Sequence, residues 1–283
     1  MVYFRTMSKT SSSSKKSSSK AAPDWVPATL SEYDGVRFLH LDSIWVQGAM
    51  RIRKPQQLEL EYIQRMMAWM LWRPADALRE GRAVQLGLGA AALTRFCHKV
   101  LRMPTVAVEL NPTVISACRA WFHLPEDDAR LTVLNMDARA WVGDPANLQS
   151  VAVLNVDLYD HDAASPVLDD EAFYAACRGV LQDGGLMTVN LFGRDASFAR
   201  SAARIARVFG SEQVWSLAPT REGNTVVVAA RNVKVPDRDE LERRAANIES
   251  LYGSFGLPAR KWLRLVRPLP MSILNQLQAE PKT

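Results

Sequence analysis

The chain has 283 residues, 48% of them hydrophobic and 23% charged, with a formal net charge of +5. That is enough apolar material for one large α/β domain with small appendages, and it excludes wholesale disorder. No run approaches the roughly 18 to 20 uncharged apolar residues of a membrane-spanning helix, and the three cysteines, Cys97, Cys118 and Cys177, have no paired spacing.

That cysteine pattern argues against a disulfide framework or a cysteine-based zinc site and suits a reducing compartment, the cytoplasm. The positive charge is a weak pointer to nucleic acid, because four lysines sit in "MSKTSSSSKKSSSK". Residues 1–23 therefore read as a disordered Ser/Lys-rich tail: they hold too little apolar surface to offset the entropy of ordering, and they lack the apolar core of a secretory signal. A basic run of this kind is a solvated segment, and nucleic acid is not the expected partner.

Residues 24–56 are short, apolar and punctuated, and "VRFLHLDSIWVQGAMRI" predicts a small β-hairpin region. "LELEYIQRMMAWMLW", Leu58 to Trp72, carries apolar residues at helical spacing and stops before Pro74. Its Met and Trp stripe belongs in a core.

From Gly81 onward strands and helices alternate. "AVQLGLG" precedes a helix over Ala90 to Leu101, and "TVAVEL" precedes one opened by Asn111-Pro112, with proline in the first turn. "LTVLNM" leads to a helix from Ala138, "VAVLNVDLYD" to "DDEAFYAACRGVL", and "GGLMTVNLF" to "ASFARSAARIARVF". Two last strands, "QVWSLA" and "NTVVVAA", flank the turn "PTREGN", so the final strand runs antiparallel.

This pattern predicts a seven-stranded, mostly parallel sheet with helices on both faces over residues 57–232, preceded by the hairpin region, with ligands at the carboxyl ends of the strands. Residues 233–283 form a C-terminal helical extension whose charged amphipathic helix packs on the sheet edge or on another subunit.

Acids mark three successive strand ends. Gly87 and Gly89 shape the turn after the first parallel strand, where helix N-terminal amides face a ligand. Glu109 ends the next strand about twenty residues on, the spacing at which an acid accepts both hydroxyls of a ribose. Asp137-Ala138 follows the third strand, where a carboxylate meets an adenine amino group. Each acid also has a plainer reading as a helix cap or first-turn residue. Together they predict an adenosine-containing ligand without phosphates, since the glycine pattern of a dinucleotide fold and the lysine of a phosphate loop are both missing.

The fourth strand ends in "NVDLYDHD", three carboxylates in six residues. One reading has Asp157, Asp160, His161 and Asp162 bind a metal, although ligands crowded into one short loop rarely converge on one centre. A second has the acids receive an organic cation, and a third leaves His161 and Asp162 as exposed loop residues. His98 and His123 fall in helical stretches and read as packed or surface residues.

These residues resemble the spermidine synthase, or polyamine aminopropyltransferase, family, whose catalytic domain is a variant of the class I methyltransferase fold. The likeness runs from about Leu41 to Ala230. It rests on the glycine turn, on Glu109 and Asp137-Ala138, and on Asp157-Leu-Tyr-Asp160 followed without a gap through Leu168 to Phe173-Tyr174. The resemblance implies aminopropyl transfer from decarboxylated S-adenosylmethionine to a diamine or polyamine. Asp157 would be the proton acceptor and Asp160 a ligand of the amine. Gln47 and Tyr62 would line the two substrates, no metal would take part, and the protein would be a homodimer. Two departures stand out: the family's Gly-Gly-Gly-Asp-Gly is here Gly87-Leu-Gly-Ala90-Ala91, and its aromatic-rich segment before the last strand is "PTREGNTV". Loss of the acid at Ala90 motivates a second reading, an S-adenosylmethionine-dependent methyltransferase, and a third is a non-catalytic nucleoside- or polyamine-binding relative.

Overall fold

In a computed structural model, residues 25–159, 168–192 and 195–279 are described. The first of them build an antiparallel three-stranded sheet, β1 (Ala28–Tyr33), β2 (Val36–Leu41) and β3 (Gly48–Arg51), in that spatial order. Helix α1 (Glu61–Met66) follows and tightens into a 3-10 segment, Met67–Trp72, that is buried along its whole length. The Met and Trp stripe is core, as its spacing predicts.

The strand–helix alternation then runs β4 (Arg82–Leu86), α2 (Ala92–Arg95), β5 (Thr105–Glu109), α3 (Pro112–Trp121), β6 (Leu131–Asn135), α4 (Ala138–Gly143), β7 (Val151–Val156), α5 (Glu171–Val180), β8 (Leu181–Phe192), α6 (Asp195–Phe209), β9 (Val214–Leu217) and β10 (Asn224–Ala230). After it come α7 (Arg238–Tyr252), α8 (Ala259–Leu265), β11 (Val266–Pro268) and α9 (Met271–Ala279). The main sheet has the order β11-β9-β10-β8-β7-β4-β5-β6. Strands β8, β7, β4, β5 and β6 pair in parallel, whereas β10 is antiparallel to both its neighbours and β11 is antiparallel to β9.

Eight strands stand where seven were expected. The addition is β11, three residues between two short helices; too short for a periodicity of its own, it is defined by pairing Val266 with Leu217 and Pro268 with Trp215. The helix over Ala90–Leu101 is also shorter than its pattern. Ala91 takes a left-handed φ of 56°, so regular helix starts only at Ala92, and it widens into a π turn at Phe96–Val100.

Both faces of the sheet are covered, and side-chain alternation decides which core each strand feeds. Val226, Val228 and Ala230 face the Met/Trp segment, while Val227 and Ala229 face α5 and α6. The C-terminal extension supplies Ala245, Ile248, Tyr252 and Trp262 to the first of these cores, so α7 buries its apolar stripe within its own chain. A third cluster joins the small sheet, through Leu39 and Met50, to Val114, Cys118 and Phe122 of α3 and the turn after it. That contact fixes the small sheet over the carboxyl ends of β4 and β5.

Candidate active site

The chain adds β5 and β6 on one side of β4, then crosses back to add β7 and β8 on the other. The loops leaving β4 and β7 therefore diverge, and the crevice between them is where an open α/β sheet holds its ligand. A cavity of about 650 Å³ opens there.

Its walls include every sequence-predicted site residue that is described: Gln47, Tyr62, Gly87, Gly89, Glu109, Asp137, Ala138 and Asp157. Asp160, with His161 and Asp162, lies outside the described residues.

The glycine turn is dictated by packing. Gly87 has φ +82°, and a Cβ there would overlap the backbone carbonyl of Asp157. The Asp157 amide donates to the Leu86 carbonyl at 2.9 Å and the Gly87 amide to Val108 at 2.9 Å. The turn is thus sewn to the strand ends on both sides. Gly89, at φ +49°, faces the Gln47 carbonyl, where a Cβ would come within 2.9 Å. Ala90, in place of the family's acid, does not reach the cavity: it is 2% exposed and packs under Gly48 of β3.

The three strand-end acids have different surroundings. Glu109 accepts the Leu88 amide on one oxygen and the Asn111 amide on the other, both at 2.8 Å. It bridges the glycine turn to the start of α3, while Asn111 itself caps that helix through Thr113 at 2.9 Å. Burial pushes the Glu109 carboxyl up, and the backbone amides of Leu88, Asn111 and Leu110 pull against that rise. Asp137 is the N-cap of α4, accepting the Ala140 amide at 3.0 Å, and is exposed along the cavity wall.

Asp157 is at the heart of the site. Burial pushes its carboxyl up to about 6, opposed by hydrogen bonds from Asn190 and Tyr62. The Asn190 amide donates at 2.9 Å. Burial beside Asp157 in turn pushes the Tyr62 phenol well above its ordinary value, so it stays a proton donor. Tyr159, inside the signature, walls the pocket and donates its hydroxyl to the Asn190 carbonyl at 2.8 Å. The Phe173-Tyr174 pair is buried in the core with Tyr174 bonded to Asp169 at 2.8 Å, leaving Leu168 to face the cavity.

The sequence did not single out Asn190, which is 3% exposed and holds the carboxylate. Nor did it single out Asn224, whose amide donates to Asn190 at 3.1 Å. The one signal was an amide near the end of the largely apolar "LMTVNLF", in the strand paired with the one that leads into Asp157. Trp45, Phe192 and Glu222 also line the cavity and were likewise missed.

The sheet order and the crevice at its switch point define the class I methyltransferase-like fold. Solved structures agree on that fold. A probable spermidine synthase from Corynebacterium glutamicum superposes with a TM-score of 0.62 at 20% identity, covering 89% of this chain and 90% of the other. Human methyltransferase-like protein 13, in complex with SAH, gives a TM-score of 0.61 at 20% identity over 68% of this chain and 92% of its own. No protein-family model matches the chain. Curated relatives are more specific. The polyamine aminopropyltransferase of Neisseria meningitidis serogroup A is 30% identical over 226 residues, 79% of this chain and 84% of the relative. That of Chromobacterium violaceum is 30% identical over 229 residues, 81% and 84% of the respective chains. This chain belongs to the polyamine aminopropyltransferase family.

Proposed function

We propose that the protein transfers an aminopropyl group from decarboxylated S-adenosylmethionine to a diamine or polyamine, releasing 5′-methylthioadenosine. One observation carries this reading: Asp157, raised toward neutrality by burial and held by Asn190 and Tyr62, faces a cavity that Glu109 and Asp137 also line. In this reading Glu109 accepts the ribose hydroxyls, Asp137 and the start of α4 at Ala138 meet the adenine, and Gly87 and Gly89 let the ligand approach the backbone. Gln47 and Tyr62 line the two substrates, and Asp160 binds the amine.

The chemistry needs a neutral nitrogen, because an ammonium has no lone pair with which to attack carbon. Asp157 takes the proton of the attacking amine and keeps the lone pair directed at the carbon beside sulfur. A nitrogen–carbon bond forms, the carbon–sulfur bond breaks, and its electron pair stays on sulfur, which leaves as a neutral thioether. The positive charge of the sulfonium passes to the nitrogen, and the proton comes to rest on Asp157. A carboxylate 4 Å from a second ammonium of the acceptor adds about 1 to 4 kcal/mol, depending on the local dielectric.

One observation favours a second reading. With Ala90 buried against β3, no carboxylate at that position meets the donor's aminopropyl amine, and S-adenosylmethionine, whose own carboxylate an acid there would repel, is the alternative donor for methyl transfer. Calorimetry with the two nucleosides, and product analysis with 1,4-diaminobutane and spermidine, separate the readings. The first expects tighter binding of the decarboxylated donor, with 5′-methylthioadenosine and a lengthened amine as products. Preference for the carboxylate-bearing donor with a methylated product replaces it by the second.

A further inference from the structure

The acids that line the cavity differ in what already occupies them. Glu59 pairs with Arg51 at 2.6 Å, and Glu61 is held by Lys261 at 2.8 Å and Arg65 at 2.9 Å. Glu109 accepts two backbone amides and Asp137 accepts one. Asp157 is engaged by Asn190 and Tyr62. Glu222 also lines the cavity, and among the described residues it has neither a hydrogen bond nor an ion pair.

Its position is fixed by the turn that carries it. The Thr220 amide donates to the Asn224 carbonyl at 2.8 Å, the Asn224 amide to the Thr220 hydroxyl at 3.2 Å, and the Gly223 amide to the Thr220 carbonyl at 3.2 Å. Gly223, at φ +101°, lies against the Phe192 ring, which meets Trp45 edge-on with centroids 6.5 Å apart. Both rings line the cavity. From Asn224 a relay of two side-chain amides, through Asn190, leads to Asp157 at 3.1 and 2.9 Å. A carboxylate with no cation of its own among the described residues therefore lines the same cavity as two aromatic rings, on a closed turn joined by hydrogen bonds to Asp157. Carboxylate and ring faces together suit an ammonium group.

Resting on the function proposed above, we infer that Glu222, with Trp45 and Phe192, holds the ammonium group of the acceptor farthest from the reacting nitrogen, and so selects amines carrying at least two charges. The turn "PTREGN" is where the family's aromatic segment is missing. Here Glu222 supplies charge and the Trp45–Phe192 pair supplies the aromatic surface.

The test compares the full-length wild type with Glu222→Gln and Glu222→Asp. The probes are 1,4-diaminobutane and n-butylamine, which share a four-carbon chain but differ by the second amine. Dissociation constants are measured by calorimetry with 5′-methylthioadenosine present, and kcat and KM with decarboxylated S-adenosylmethionine as donor. For Glu222→Gln the preference for the diamine over the monoamine should fall about tenfold, the effect of one partly solvated ion pair. The loss should lie in KM rather than kcat, and Glu222→Asp should restore most of it. An unchanged preference in Glu222→Gln, or equal weakening of both amines, overturns the inference. If the wild type binds the diamine but forms no product, the proposed reaction fails while the binding ratio still decides the role of Glu222. A wild type that binds neither amine overturns both.

Discussion

Replacing Asp157 by asparagine should remove activity while making the free protein more stable at neutral pH. The group is raised from the ordinary aspartate value near 3.9 to about 6. At 1.36 kcal/mol per pH unit, that difference is roughly 3 kcal/mol. The sign follows from proton linkage: a carboxyl with a raised folded-state value binds its proton more tightly when folded. Its contribution to stability is complete below about 4 and is lost as pH rises through about 6. Above pH 7 the wild type carries the whole cost of a buried charge. Asparagine carries none of it, and its carbonyl still accepts from Asn190. The variant should therefore melt higher than wild type at pH 8 by about 6 to 12 °C, using about 2 to 4 °C per kcal/mol for a domain of this size. At pH 5 roughly half of that advantage should remain. Scanning calorimetry of the ligand-free proteins at both pH values gives the comparison. Turnover measured on the same samples should fall at least a hundredfold, as for loss of a positioned base. A variant no more stable than wild type at pH 8, or one whose advantage fails to shrink toward pH 5, would refute the claim that burial governs this carboxylate.

Two further outcomes follow from the same geometry. In Asn190→Leu the carboxylate loses a hydrogen bond that favours its charged form, so the acid limb of kcat/KM should move to higher pH than the wild type's limb near 6; a limb that stays put or moves down contradicts the assignment. Gly87→Ala should cost more than about 2 kcal/mol, because left-handed strain of about 1 to 2 kcal/mol is joined by overlap with the Asp157 carbonyl. Gly184→Ala, at φ +72° with nothing within 4 Å of the added Cβ, should pay the strain alone. Denaturant melts of the pair, read together with nucleoside affinity, check that difference.

Much of this protein is set down locally in its sequence. Near-continuous apolar runs alternating with helical patterns specify a parallel sheet covered on both faces, since a strand buried on both sides has no polar face to show. Asn111-Pro112 starts α3 with cap and proline as read, and the acids Glu109, Asp137 and Asp157 stand at strand ends because a buried strand can turn polar only where it leaves the sheet. Local pattern is silent where a role depends on partners distant in the chain. The three residues of β11 become a strand only by pairing with β9, and α7 finds its place by burying Ala245, Ile248 and Tyr252 against a segment some 180 residues earlier. Asp137 resolves into a helix cap on the cavity wall, whereas Glu109 ties the glycine turn to α3. Asn190 and Asn224 look like ordinary strand residues until antiparallel pairing brings their amides into line with Asp157. Sequence alone determined the strand order's raw material and the positions of the acids, because each depends on nearest neighbours and periodicity. Tertiary structure alone decided which acids are already paired, which is buried enough for its carboxyl to be pushed up to about 6, and which has no partner among the described residues, because charge and burial are properties of the assembled surroundings.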